Sequence, residues 1–234
     1  MGGYYGGYGV MLAHSPSIVM NGLVLCLDAA NTKSYPTTGT TWTDLSGTGN
    51  TGTLVNGVGY NSGNLGSLTF AGDDDHITFA SNPSLTNQIT VEVWVNLNST
   101  TPNGLALILG RENSYRLIYS SSSFQWVCAT VNNGWYATGT DISASASTTS
   151  GIYQVVGTYD GSNNRIYVNG TLRTTGLSIS GNVLTSGTYY LFRSGSGNVD
   201  YGKGSLYTHR VYNRALTAAE VSQNFNALRS RYGI

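Results

Sequence analysis

Apolar and polar residues alternate with period two along much of the chain. Thr90 to Asn96 is the clearest case, with Val91, Val93 and Val95 on one face and Glu92 and Trp94 on the other. Tyr153 to Tyr159 predicts a second strand and Arg165-Ile166-Tyr167-Val168 a third. Asp160-Gly161-Ser162-Asn163-Asn164 turns the chain between them. Asn169-Gly170 follows the third strand, a pair that tolerates the positive φ of a type I′ hairpin turn. Two hairpins in series make an antiparallel meander. Leu23 to Leu27 is a compact apolar run, and Leu105 to Leu109 is apolar throughout, as for a strand covered on both faces. Short strands between Gly, Asn, Ser and Asp clusters predict an all-β fold, an antiparallel sandwich or jelly roll.

One C-terminal α-helix interrupts this pattern, over about residues 217–231. Thr217-Ala218-Ala219-Glu220 reads as a capping box, in which hydroxyl and carboxylate each satisfy a backbone amide of the other. Val221, Phe225 and Leu228 then share one helical face, and Tyr232-Gly233 ends it. The first nine residues contain only Met, Gly and Tyr. They lack the basic start and apolar stretch of a signal peptide, since the first Lys or Arg is Lys33. The chain therefore divides into an N-terminal arm, residues 1–20, and one domain, residues 21–234. Tyr4, Tyr5 and Tyr8 offer amphipathic contact area for a neighbouring subunit. Folding back onto its own domain is the other reading of the arm.

Composition narrows the function classes. The chain has 234 residues and a mass of 24.8 kDa, enough to bury a core without disulfide or metal. Charged residues make up 9%, against about 25% in an average soluble protein. Eleven bases balance eleven acids, so an electrostatic nucleic-acid binder is not expected. No apolar run reaches the 18 or so residues of a membrane span, and no membrane partner is expected. Cys26 and Cys128 lie in strand-like apolar contexts and read as buried free thiols. The balance hides two unequal halves, because Lys203, Arg210, Arg214, Arg229 and Arg231 crowd the last segment. They read either as a solvated helix face or, with Arg229 and Arg231 foremost, as a docking patch for an acidic neighbour.

Four stretches, in order, resemble the concanavalin A-like, laminin G-like jelly-roll superfamily. They are Gly22-Leu23-Val24-Leu25-Cys26-Leu27-Asp28 with Trp42-Thr43-Asp44-Leu45-Ser46-Gly47; Phe70-Ala71-Gly72-Asp73-Asp74-Asp75-His76-Ile77; Val156-Gly157-Thr158-Tyr159 with Ile166-Tyr167-Val168-Asn169-Gly170; and Val211-Tyr212-Asn213-Arg214-Ala215-Leu216. Ser15-Pro16-Ser17-Ile18-Val19 and the ending Asn224-Phe225-Asn226-Ala227-Leu228-Arg229 are similar to a subset common in tailed-phage virion proteins. The resemblance implies a virion location and a non-enzymatic subunit: a capsid decoration, head fibre or tail-associated protein. Its partners would be other virion proteins, met through the arm, and further copies of itself. Tyr207-Thr208 stands where many relatives have an Asp-Glu pair, and His76 replaces the usual aromatic.

Three groups of residues could carry chemistry. Asp73, Asp74 and Asp75 read either as a structural calcium site or as a turn using carboxylates to bond backbone amides. On a strand, at most two of them would converge. No other cofactor is expected. A glycosidase needs two carboxylates across one sugar, and the resemblance puts them in a Glu-x-Asp-x-x-Glu string that this chain lacks. No catalytic residue is assigned, and Glu92 reads as a satisfied polar group. A glycan is the alternative ligand, with the protein then a carbohydrate-binding adhesion module of a phage or bacterium. Asn133, Trp135 and Tyr136 in one loop and Asp200 and Tyr201 in another have the residue types to hold it.

Overall fold

The computed structural model describes residues 16–85, 87–97, 105–134, 141–145, 151–193 and 201–234. Among the described residues, sixteen strands run in chain order: β1 Leu23–Asp28, β2 Thr41–Trp42, β3 Gly52–Val55, β4 Gly59–Asn61, β5 Ser67–Phe70, β6 His76–Phe79, β7 Ile89–Leu97, β8 Leu105–Arg111, β9 Tyr115–Ser120, β10 Ser123–Cys128, β11 Asp141–Ser145, β12 Tyr153–Tyr159, β13 Asn164–Val168, β14 Thr171–Thr175, β15 Tyr189–Leu191 and β16 Gly204–Tyr212. They form two sheets, with every pairing antiparallel. The first has the order β14-β13-β12-β7-β16-β5-β4, and β1 also pairs with β16. The second has the order β11-β10-β9-β8-β15-β6-β3-β2. This is the expected antiparallel all-β sandwich.

The alternation read from β7 holds in space. Ile89, Val91, Val93, Val95 and Leu97 enter the main core between the sheets, where they meet Trp126, Leu117 and Leu109 of the second sheet. The meander β12-β13-β14 is as expected, and Asn169 and Gly170 take φ of 50° and 73° at its second turn. Gly157 in β12 makes room for an indole from the other sheet: a Cβ there would lie 2.3 Å from Trp126. Trp126 also donates its Nε1–H to the Thr158 carbonyl at 3.3 Å. Cys26 and Cys128 are buried and unbonded.

One polar pair crosses this core. His209 of β16 donates from Nδ1 to the Glu92 carbonyl at 3.0 Å, because a carbonyl can only accept. Its Nε2 therefore accepts from the Tyr189 hydroxyl of the second sheet at 2.6 Å. Burial lowers the His209 pKa to about 4, so the ring stays neutral in the folded protein. The unfolded chain takes up that proton near the ordinary histidine value of about 6.5. Stability from this group is complete above about pH 6.5 and is lost as pH falls toward 4. Urea unfolding is expected to show about 2 kcal/mol less stability from this group at pH 5 than at pH 7.5. His209→Gln should flatten that slope; an equal slope in both proteins would count against the neutral ring.

The helix α1, Ala218–Leu228, carries the expected capping box, and Arg229–Tyr232 continues it as a 3-10 turn. It lies on the outer face of the first sheet. Val221 joins Val19, Leu23, Val156 and Tyr212 in one apolar cluster, while Phe225 and Leu228 pack with Trp94 and Tyr232 in another. Between the clusters runs the buried polar centre described next.

Candidate functional site

The outer face of the first sheet is closed by α1. Trp94 points outward from β7 and meets Phe225, with ring centroids 5.7 Å apart and planes 4° from parallel, and Tyr232 at 4.5 Å. Glu92 beside it has no exposed surface. Its Oε1 accepts from Trp94 Nε1 at 3.2 Å, Gln154 Nε2 at 3.1 Å and Arg210 Nη1 at 3.1 Å. Its Oε2 accepts from Asn224 Nδ2 at 2.7 Å. The carboxylate is thus not alone on its face, because β12, β16 and α1 each send a donor to it. A buried charge persists only when paired and hydrogen-bonded in this way.

The same centre fastens the first described residues. Asn224 Oδ1 accepts from the Val19 amide at 2.8 Å, and the Tyr212 hydroxyl donates to the Val19 carbonyl at 3.1 Å. Gln223 Nε2 donates to the Ser17 carbonyl at 2.7 Å. Residues 17–20, grouped with the arm by sequence, therefore lie along α1.

Other carboxylates are similarly engaged. Arg231 binds Asp28 through two bonds of 2.9 and 2.8 Å. Arg214 binds Glu220 at 2.9 and 2.6 Å and holds its pKa down at about 2. Asp44 accepts from the amides of Cys26, Ser46 and Asn50, which outweigh its burial and keep its pKa low. A glycosidase needs carboxylates that open onto a sugar. Asp28, Asp44, Glu92 and Glu220 are all committed within the fold.

The outer face of the second sheet differs. β6 sends Ile77 and Phe79 into the core and β15 sends Tyr189 and Leu191, which leaves His76, Thr78 and Tyr190 outward. Tyr190 is in register with Thr78 on one side and Gly110 on the other. Arg193 lies 5.0 Å over the Tyr190 ring and donates from Nη1 to His76 Nε2 at 3.3 Å. His76 Nδ1 then donates to the Asp74 carbonyl at 2.8 Å. These partners select the Nδ1–H tautomer, because a guanidinium only donates and a carbonyl only accepts. Tyr201 completes the group, with its ring 6.0 Å from His76. Two half-buried tyrosines, an arginine and exposed carboxylates thus share one patch.

Asp73, Asp74 and Asp75 border that patch. Their carboxylate oxygens lie within 4.8 Å of one another. The expected limit of two does not hold, because the chain bends between β5 and β6 and strand alternation does not apply. Asp73 and Asp74 are exposed. Asp75 is buried, its Oδ2 accepts from the Ala71 amide at 2.9 Å, and burial raises its pKa. Asp73 Oδ1 accepts from the Asp74 amide. The turn is thus self-bonded in part, with two carboxylates left facing water.

Sequence candidates separate in space. Tyr201 joins the patch with the aspartates. Asn133 does not: its Oδ1 accepts from the Ser180 amide at 2.9 Å and holds one loop to another. Arg229 is exposed at the end of α1, 6.0 Å over the Phe225 ring, while Arg231 is spent on Asp28. Tyr4, Tyr5, Tyr8, Trp135, Tyr136 and Asp200 lie outside the described residues. Tyr190 and Arg193 carried no sequence signal, because β15 has three residues and shows no readable period.

The sequence model of the family described as the concanavalin A-like lectin/glucanases superfamily matches residues 70–222. Among solved structures, the receptor-binding domain of botulinum neurotoxin type G superposes with a TM-score of 0.67 at 17% identity, over 88% of this chain and 51% of that one. The binding domain of paraclostridial mosquitocidal protein 1 superposes with a TM-score of 0.69 at 16% identity, over 88% and 52%. A botulinum neurotoxin type C structure, described with cell entry dependent upon interaction with two ganglioside molecules, gives 0.67 at 15% identity, over 88% and 51%. The chain spans about half the length of these structures. A comparison with curated proteins finds no match.

Proposed function

We propose, for a chain that belongs to the concanavalin A-like lectin/glucanases superfamily, a non-enzymatic role as a phage virion surface protein that docks through its N-terminal arm. The observation that carries this reading is the placement of residues 17–20. They are fastened to α1 on one outer face of the sandwich, and the Tyr190–Tyr201 patch lies on the opposite face. An arm leaving from the helix side can hold the particle while the second sheet faces outward. Exposed Arg229 lies on the docking side. The engagement of Asp28, Asp44, Glu92 and Glu220 within the fold supports a role without catalysis.

Deleting residues 1–15 is expected to leave the melting temperature within about 2 °C and to abolish incorporation into particles, scored by gel analysis of purified virions. Normal incorporation of the shortened chain would refute arm docking.

The patch favours a second reading, a carbohydrate-binding adhesion module. Tyrosine faces suit the C–H face of a sugar ring, while Arg193, Asp73 and Asp74 offer donors and acceptors of both kinds. On a glycan array, Tyr201→Ala would weaken binding if the sugar sits here.

A further inference from the structure

We infer that the socket holding residues 17–20 against α1 accepts the same segment from a second copy of this chain, so that two molecules exchange these residues. The inference deepens the arm reading above, on which it rests, by naming a second copy as a partner of the arm. The bonds that hold the segment run from side chains of the folded domain to main-chain atoms. Asn224 Oδ1 accepts from the Val19 amide at 2.8 Å, the Tyr212 hydroxyl donates to the Val19 carbonyl at 3.1 Å, and Gln223 Nε2 donates to the Ser17 carbonyl at 2.7 Å. One side chain is also seated, since Val19 is buried among Leu23, Val156, Tyr212 and Val221. None of these contacts depends on which chain supplies the segment.

Two properties point to an identical segment as the occupant. The first is that the socket has to be filled. Asn224 and Tyr212 have no exposed surface. Both N–H groups of Asn224 are used, on Glu92 Oε2 at 2.7 Å and on the Tyr212 oxygen at 2.9 Å. That aims Asn224 Oδ1 at the Val19 amide and the Tyr212 hydrogen at the Val19 carbonyl. An empty socket would strand a buried acceptor and a buried donor, which is costly. The segment is therefore stable away from its own socket only when an identical one replaces it. The second property is the hinge. Only Asn21 and Gly22 separate Met20 from β1, in a turn closed by the Leu23 amide on the Met20 carbonyl at 3.1 Å. Gly22 holds a φ of 80° there, and a Cβ would lie 3.0 Å from Arg214 Cγ and from Asn213 Oδ1. Short, tight hinges invite exchange of identical elements. Straightened, residues 20–22 span roughly 10 Å, so the second copy sits against the helix side of the first, where Met20 is 63% exposed.

The test uses the full chain. Ser17→Cys and Gln223→Cys are made in separate, differently tagged chains, which are mixed in urea and refolded together. A bismaleimide then links neighbouring thiols, and capture on one tag with detection of the other scores links between chains. Residue 17 of one chain meets residue 223 of the other only after exchange. The link is expected to exceed several-fold that of a control pair, Ser17→Cys with Asp73→Cys, because Asp73 borders the patch on the opposite face. Opening the turn also relieves any side chain at position 22. Gly22→Ala is therefore expected to raise the dimerisation constant by about tenfold or more, read by light scattering, since each dimer releases two turns. A link between positions 17 and 223 no stronger than the control would overturn the inference, as would a Gly22→Ala protein that dimerises no more than the parent. The chain lacking residues 1–15 keeps residues 17–20, so its incorporation into particles tests docking separately: exchange without docking sinks the arm reading, and docking without exchange sinks this one.

Discussion

Glu92→Ala is expected to destabilise the domain by about 3–5 kcal/mol, the range for breaking a buried ion pair from one side. Arg210 would keep its charge, because a guanidinium is not deprotonated at working pH, and it would be left with almost no exposed surface and no carboxylate beside it. Gln154, Trp94 and Asn224 would each lose an acceptor at the same time. Helix docking should suffer most, since Asn224 is one of the two fully buried residues of α1. Glu92→Gln, which keeps the shape but drops the charge, should still be clearly destabilised. The double change Glu92→Met with Arg210→Met should recover much of the loss, because it removes both charges together. Urea unfolding of the three variants checks this. A Glu92→Ala protein within 1 kcal/mol of the parent would show that water or another partner reaches Arg210.

Gly157→Ala is expected to cost about 3 kcal/mol, at the upper end for overpacking a core. The added methyl would lie 2.3, 2.6 and 2.8 Å from three Trp126 ring atoms. Neither side can yield easily. Trp126 is fully buried and bonded to the Thr158 carbonyl, and β12 is paired on both edges. A near-neutral thermal melt for Gly157→Ala would mean that the two sheets can part locally. Tryptophan emission distinguishes the cases, since a displaced indole shifts its spectrum whatever the stability.

Local features were legible in the sequence because their causes are local. The period of β7, the Asn169-Gly170 turn and the Thr217–Glu220 cap each depend on residues a few positions apart. The buried centre was not legible for the opposite reason. Gln154, Arg210 and Asn224 stand 62, 118 and 132 positions from Glu92, and no periodicity announces that they converge. Arg231 shows the same blindness: its charge suggested an outside partner, yet Asp28, 203 positions away, takes it. The aspartates were misjudged in number because strand alternation was applied to a bend. The patch itself depends on Tyr190 meeting Arg193 and His76 meeting Tyr201, and the second of these pairs is a tertiary contact across the sandwich's outer surface.

The position of β16 has a consequence for how the protein is made. This strand is the last in the chain, yet it lies inside the first sheet and pairs with β1, β5 and β7. β1, among the earliest strands, has β16 as its partner. A ribosome adding about 5–20 residues per second takes on the order of ten to forty seconds to travel from one to the other. Throughout that interval Leu25 and Leu27 wait with an unfilled edge. The sheet closes only when β16 slots in, so a nascent chain stalled before residue 204 leaves β1, β5 and β7 without the strand that joins them.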